Sequence, residues 1–273
     1  MLMSQSTVSI LIASDSRGRG ITNSVATFTE IKTLFNVDIA LRVKPGAKLQ
    51  ELIDIVNEAF LRDEKLTYAI IIGGICNLTE RSPDRYQLSY NRSELNIQRI
   101  SSQIQTFYHK HNHKATVATL YPASLENYAT SRNNSYTGEV SAQEELIEDI
   151  DTINQQIVNC NKQSNQETVD IGRIFFSFIK RKRRGRKKKF CHRFLPDGVH
   201  PSESIQEKCG ERIASVLRNT LNLRTQESQD PQQGQSQPNP PVLEESGQET
   251  SQDSQEEDTD EAVSRACKRT KRW

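Results

Sequence analysis

Residues 9–20, "SILIASDSRGRG", begin as an unbroken apolar run and stop abruptly at Asp15-Ser16, before two glycines set among arginines. Taken back to Thr7, the run "TVSILIA" is short, continuous and rich in β-branched residues, the pattern of a strand covered on both faces. Such a strand needs parallel neighbours and helices above and below it. The chain supplies both. "VDIALRV" (37–43), "LTYAIII" (66–72), "ATVATLY" (115–121) and "VDIGRIFF" (169–176) read as further strands. Between them helical spacing recurs at 23–35, 48–62, 93–109, 142–160 and 203–223. Within 48–62, Leu49, Leu52, Ile53, Val56 and Phe60 fall on one face and need a sheet to sit on. Five strands alternating with helices predict an α/β fold on a parallel sheet with right-handed crossovers. The long connection "SLENYATSRNNSYTGEV" (124–140) reads as a loop.

With 273 residues, 34% hydrophobic and 26% charged, the chain can bury one sizeable core. Its net charge of +1 conceals a basic block and an acidic tail that cancel. From residue 225 onward Gln, Ser, Pro and acidic residues dominate, so a domain at 1–224 is expected to precede a disordered acidic tail at 225–273 with a basic end. No segment has the make-up of a secretory signal or of a membrane span, which points to an intracellular protein, cytoplasmic or nuclear. The five cysteines are scattered, odd in number and form no C-x-x-C pair, so reduced thiols are expected. "HKHNH" (109–113) lacks a matching carboxylate cluster and reads as surface rather than metal site.

In an open parallel sheet, ligands bind beyond the carboxyl ends of the strands. Ser16 follows the first strand, Gly46 the second, Gly73, Gly74 and Asn77 the third, and "LPDGVHPSE" (195–203) the fifth. Ester hydrolysis through a serine needs a hydroxyl, a base and donors aimed at the developing oxyanion. Ser16 offers the hydroxyl and its own N–H, and His200 the base. Asp197, three residues earlier, can fix the tautomer of that histidine. The Gly46 N–H and the Asn77 amide are the remaining donors. Alternative readings stand beside these: Ser16 as a helix cap or phosphate-binding turn, His200 as a histidine after an ordinary Asp-Gly turn. "DSRGRG" lacks the glycine spacing of nucleotide-binding loops, which ranks nucleotide binding lower. Arg17 reads as either an anion ligand or a solvated surface residue, and Cys76 as a cavity thiol or a small buried residue.

Together, "SDSRG", Gly46 in "KPGAK", "GGICN" and "DGVHPS" resemble the successive blocks of the SGNH hydrolases, the GDSL-type esterases and lipases, over Val8 to about Leu223. The resemblance implies a three-layer sandwich on a five-stranded, flavodoxin-like parallel sheet. It implies a Ser16-His200-Asp197 triad acting on a small ester substrate, with no metal and no cofactor. Two positions depart from the family pattern. Ser14 stands where a glycine is usual, and in "GGICN" Cys76 takes the slot of the oxyanion-binding asparagine while Asn77 takes that of an aspartate. Losing one such donor costs on the order of 10²–10³ in turnover.

Between the last strand and the histidine loop, Lys180, Arg181, Lys182, Arg183, Arg184, Arg186, Lys187, Lys188 and Lys189 form a basic insertion. A run this dense is expected to meet a polyanion or a nuclear import receptor. No interleaved aromatics suggest sequence-specific readout. The second functional reading is therefore a non-catalytic scaffold of the same fold binding RNA or DNA through this run. A basic-loop variant with an acidic tail also resembles SGNH domains encoded by some non-LTR retrotransposons.

Overall fold

The computed structural model describes residues 8–21, 25–90, 92–181 and 185–229. Four parallel strands form its sheet: β1 (Val8–Ser14), β2 (Val37–Val43), β3 (Leu66–Ile72) and β6 (Ala115–Val117), in the order β2-β1-β3-β6. The apolar run that opens the chain is the sheet's centre, paired with β2 from Val8↔Val37 to Ser14↔Val43 and with β3 on its other edge.

Alternation along β1 divides the core. Leu11 and Ala13 pack with helices α2 (Leu49–Arg62), α3 (Glu94–Lys110) and α5 (Ala142–Gln163) on one face. Ile10 and Ile12 pack with α1 (Val25–Phe35) and α6 (Glu203–Gln229) on the other. This is the α/β sandwich expected, with Leu49, Leu52, Ile53, Val56 and Ala59 as the buried stripe of α2.

The fifth strand is a correction: no strand forms at 169–175. Val169 O accepts from Thr119 N at 3.0 Å, beside the sheet edge, and from Ile171 N at 3.1 Å within its own turn. The chain then turns, because the Thr119 hydroxyl accepts from Gly172 N (2.8 Å) and donates to the Asp170 carboxylate (2.9 Å). Side chains thus take the groups a ladder would use, and residues 172–175 become a 3-10 turn. Val169, Ile171 and Phe175 are buried all the same, so the apolar run reports burial rather than pairing. Likewise β6 stops at Val117, short of the expected Tyr121.

Three further elements differ from expectation. Thr79–Arg81 (β4) and Leu88–Tyr90 (β5) form a small antiparallel hairpin. The long loop contains a short helix α4 (Leu125–Thr130), started by Ser124, whose hydroxyl accepts from Asn127 N. The basic insertion is not a loop at its base: Phe176–Arg181 (β7) pairs antiparallel with Gly185–Phe190 (β8). Lys182, Arg183 and Arg184 lie outside the described residues. Helix α6 continues to Gln229, past the boundary at 224, and the rest of the acidic tail lies outside the described residues.

His111 is also not surface. It is buried, stacked on Phe60 with ring centroids 4.9 Å apart, and its Nε2 lies 2.7 Å from Asn57 Oδ1. Burial lowers its pKa. Among the described residues no group of three His, Cys, Asp or Glu is placed to hold a metal, and no helix is long and apolar enough to cross a membrane.

Candidate active site

At the carboxyl end of β1 the chain leaves the sheet in a 3-10 turn, Ser16–Gly18. Asp15 starts it: its N–H donates to Ile72 O (3.1 Å) and its carboxylate accepts from Arg17 N (2.9 Å). Ser14, where a glycine was expected, is accommodated by a second exchange. Its hydroxyl donates to Ile72 O at 2.8 Å, and a Cβ added to Gly18 would lie 2.1 Å from that hydroxyl oxygen. Ser14 can carry its side chain there because Gly18, which faces it, carries none.

Beneath Ser16 lies a charged pair that neither sequence reading anticipated. Arg17 is 2% exposed and Asp15 is fully buried, with Arg17 Nε 3.5 Å from Asp15 Oδ2. Arg17 Nη1 donates to Tyr121 O (2.8 Å), and the guanidinium lies 4.2 Å above the Tyr121 ring. That ring stacks on Phe175. Burial is the largest influence and works against the Arg17 charge, but Asp15, Tyr121 and Cys76 together outweigh it and the guanidinium stays protonated. The solvated-surface reading of Arg17 is therefore corrected.

Asp15, Ser16 and Arg17 line a cavity of about 210 Å³ together with Gly46, Ile75, Cys76, Thr79, Arg81, Leu88, Ala123 and Val199. Gly46 sits at φ +74 in the turn after β2, a conformation that favours glycine. Neither its N–H nor that of Ser16 donates to another described residue. Both residues line the cavity, and neither amide is used elsewhere among the described residues.

Cys76 reaches the cavity and Asn77 does not. Asn77 Oδ1 accepts from Leu49 N at 2.8 Å, which together with Glu51 accepting from Lys48 N (2.9 Å) satisfies the first amides of α2. Asn77 is a helix-start ligand, so the expected amide donor is replaced at the wall by a thiol. Burial, then the nearby Asp15, push the Cys76 pKa up, and the thiol stays protonated.

Val199 carries the wall into the Asp–His loop. His200 Nδ1 is 2.6 Å from Asp197 Oδ2, while Asp197 Oδ1 accepts from the N–H groups of Val199 and His200 at 2.9 and 2.6 Å. Partial burial raises the Asp197 pKa, but the His200 ring and these two amides outweigh it and hold the carboxyl at about 2. The ring therefore presents Nε2 on its far side. That atom is buried and has no hydrogen-bond partner, from Ser16 or from any other described residue.

α4 positions this loop. Ser124 N donates to Gly198 O (2.7 Å), and Asn127 Nδ2 donates to the carbonyls of His192 and Leu195 (2.9 and 3.0 Å). Gly198 has φ +81, and a Cβ there would fall 2.3 Å from Tyr128 N. Only glycine fits between the loop and the helix.

The structure thus places Ser16 and Gly46 on one cavity, joins Asp197 to His200 beside it, and turns Asn77 away. The chain matches no established family profile and no curated protein sequence. Among solved structures it is similar to a protein from Desulfitobacterium hafniense DCB-2 described as lipolytic, of the G-D-S-L family. The TM-score is 0.48 with 14% identity, over 77% of this chain and 99% of that one.

Proposed function

We propose that the chain is a serine hydrolase of the SGNH type acting on small esters. The observation that carries this reading is the His200–Asp197 pair: a ring held through Nδ1 by a carboxylate, with a buried, unpartnered Nε2 next to a cavity that contains Ser16. A ring nitrogen left without a partner while a carboxylate fixes the other side of the ring is suited to take up and return a proton.

In this reading Ser16 Oγ attacks the ester carbonyl carbon and its proton passes to His200 Nε2. Asp197 fixes the Nδ1–H tautomer and stabilises the imidazolium. The N–H groups of Ser16 and Gly46 hold the oxyanion. Collapse expels the alcohol, which takes the proton from His200, and water releases the acyl group by the same steps in reverse. With Cys76 replacing an amide donor, turnover is expected to be slow. The test is hydrolysis of p-nitrophenyl acetate and butyrate by the whole chain beside Ser16→Ala and His200→Ala. Turnover lost in both variants supports the triad; equal rates in all three proteins reject it.

One observation favours a second role alongside catalysis. Lys180, Arg181 and 186–189 lie on paired strands, with Lys180 opposite Arg186. A basic run this dense repels itself, and phosphates relieve that repulsion by releasing their counterions. A receptor reading an extended basic peptide would have to unpair β7 from β8, so nucleic acid is the better-suited partner. Lys188 is the exception: it is tied to Asp151 and lies over the Phe176 ring. Replacing Lys180, Arg181, Arg186 and Lys187 by Gln is expected to weaken binding of a fluorescent RNA or DNA oligonucleotide and flatten its salt dependence; unchanged binding excludes this role.

A further inference from the structure

The charges lining the cavity do not balance. Asp15 and Arg17 are both buried and occupy one another. The Cys76 thiol is held neutral by burial. What remains among the lining residues is Arg81, exposed at the mouth and forming no ion pair with a described carboxylate.

Its placement is built by the β4–β5 hairpin. Side chains two apart on a strand share a face, and Thr79 and Arg81 both line the cavity. Arg81 is paired across the ladder with Leu88, which lines the cavity too. Thr79 is further anchored by its hydroxyl donating to Ile75 O at 3.1 Å. A strand holds a functional side chain more tightly than a loop does. Arg81 and Ser16 share a cavity whose wall is largely apolar, with Ile75, Leu88, Ala123 and Val199.

We infer that Arg81 is a specificity-determining residue that binds a second, anionic group of the ester substrate. This rests on the hydrolase reading and narrows its substrate class to esters carrying a carboxylate or similar oxyanion a short apolar span from the scissile carbonyl. A guanidinium suits that task because its planar fork can donate two parallel hydrogen bonds to one carboxylate. The lining offers no unpaired carboxylate to repel such a group.

The test compares matched esters on the whole chain and on Ser16→Ala, Arg81→Gln and Arg81→Lys. One pair places the charge on the acyl side: mono-p-nitrophenyl succinate against p-nitrophenyl butyrate. The other places it on the alcohol side: 4-acetoxybenzoate against phenyl acetate. In at least one pair the anionic ester is expected to be preferred in kcat/KM. Arg81→Gln should remove that preference by about tenfold, chiefly through KM, with less than about a twofold change on the neutral ester. Arg81→Lys should restore part of it, and added salt should weaken it. Hydrolysis of all four esters without a charge preference, or a preference that survives Arg81→Gln, overturns the inference and leaves the hydrolase reading standing. No Ser16-dependent hydrolysis of any of the four overturns both.

Discussion

Replacing Arg17 by Met removes the guanidinium from under the candidate nucleophile and leaves the Asp15 carboxylate fully buried without its counter-ion. Arg17→Met also deletes the donor to Tyr121 O and the cation above the Tyr121 ring. Breaking a buried pair from one side costs roughly 3–5 kcal/mol, because the surviving charge stays desolvated. Asp15 keeps one bond, from Arg17 N, which any residue at 17 supplies. That places Arg17→Met toward the lower end of the range, about 3 kcal/mol. Asp15→Asn should cost a similar amount by stranding the guanidinium. The two losses share one cause, so the double variant should be more stable than their sum by at least about 2 kcal/mol. Urea unfolding followed by far-UV circular dichroism at neutral pH measures all four corners of this cycle. A loss below about 1 kcal/mol for Arg17→Met, or additive losses, would refute the buried-pair account.

Three other perturbations probe the site. Gly198→Ala, with its Cβ 2.3 Å from Tyr128 N at a residue of φ +81, must displace the Asp–His loop; kcat/KM should fall on the order of 10²-fold, and an unaltered value would show the loop tolerates the shift. Cys76→Asn returns an amide to the cavity wall beside Ser16 and should raise kcat by roughly tenfold or more; a folded variant with unchanged or lower kcat would contradict the assigned donor position. The Asp197 carboxyl, held at about 2 in the folded protein against about 3.9 unfolded, contributes stability that is present above about pH 4 and lost as pH falls toward 2. Urea midpoints of the parent and Asp197→Asn should therefore converge on acidification; a constant gap would mean that the hydrogen bonds to Asp197 do not govern its ionisation.

Where periodicity was strong and partners were local, the sequence was readable. β1, β2 and β3 sit within a residue of expectation, and the buried stripe of α2 keeps Leu49, Leu52, Ile53 and Val56, with Ala59 buried where Phe60 was expected and Phe60 half-buried beside it. At 169–176 the apolar run guaranteed burial but not pairing, since Thr119, fifty residues away, supplies the competing hydrogen bonds. The β4–β5 hairpin was missed although its signal was present: Ser82-Pro83-Asp84 is turn chemistry, and Asp84 accepts from Tyr86 N in that turn. Ser124, three residues before Asn127, likewise marks the start of α4 inside what read as loop.

The site divides along the same line. Ser16, Gly46, Asp197 and His200 could be named because each sits in its own short motif. The burial of Arg17 could not, because Tyr121 comes from 104 positions away. Arg81 escaped notice for the same reason, since nothing local to β4 says that its hairpin folds over the end of β1. Asn77 was misjudged because an amide serves equally well as a helix-start acceptor, and only the position of Leu49 N decides between the two uses.

The central claim is that Ser16 is the nucleophile, and labelling tests it most directly. The whole chain is treated with a fluorophosphonate and its intact mass and tryptic peptides are measured, beside Ser16→Ala and His200→Ala. The account predicts one adduct, on Ser16, absent from Ser16→Ala and formed far more slowly in His200→Ala. No adduct on Ser16, or one formed equally fast without His200, would contradict it.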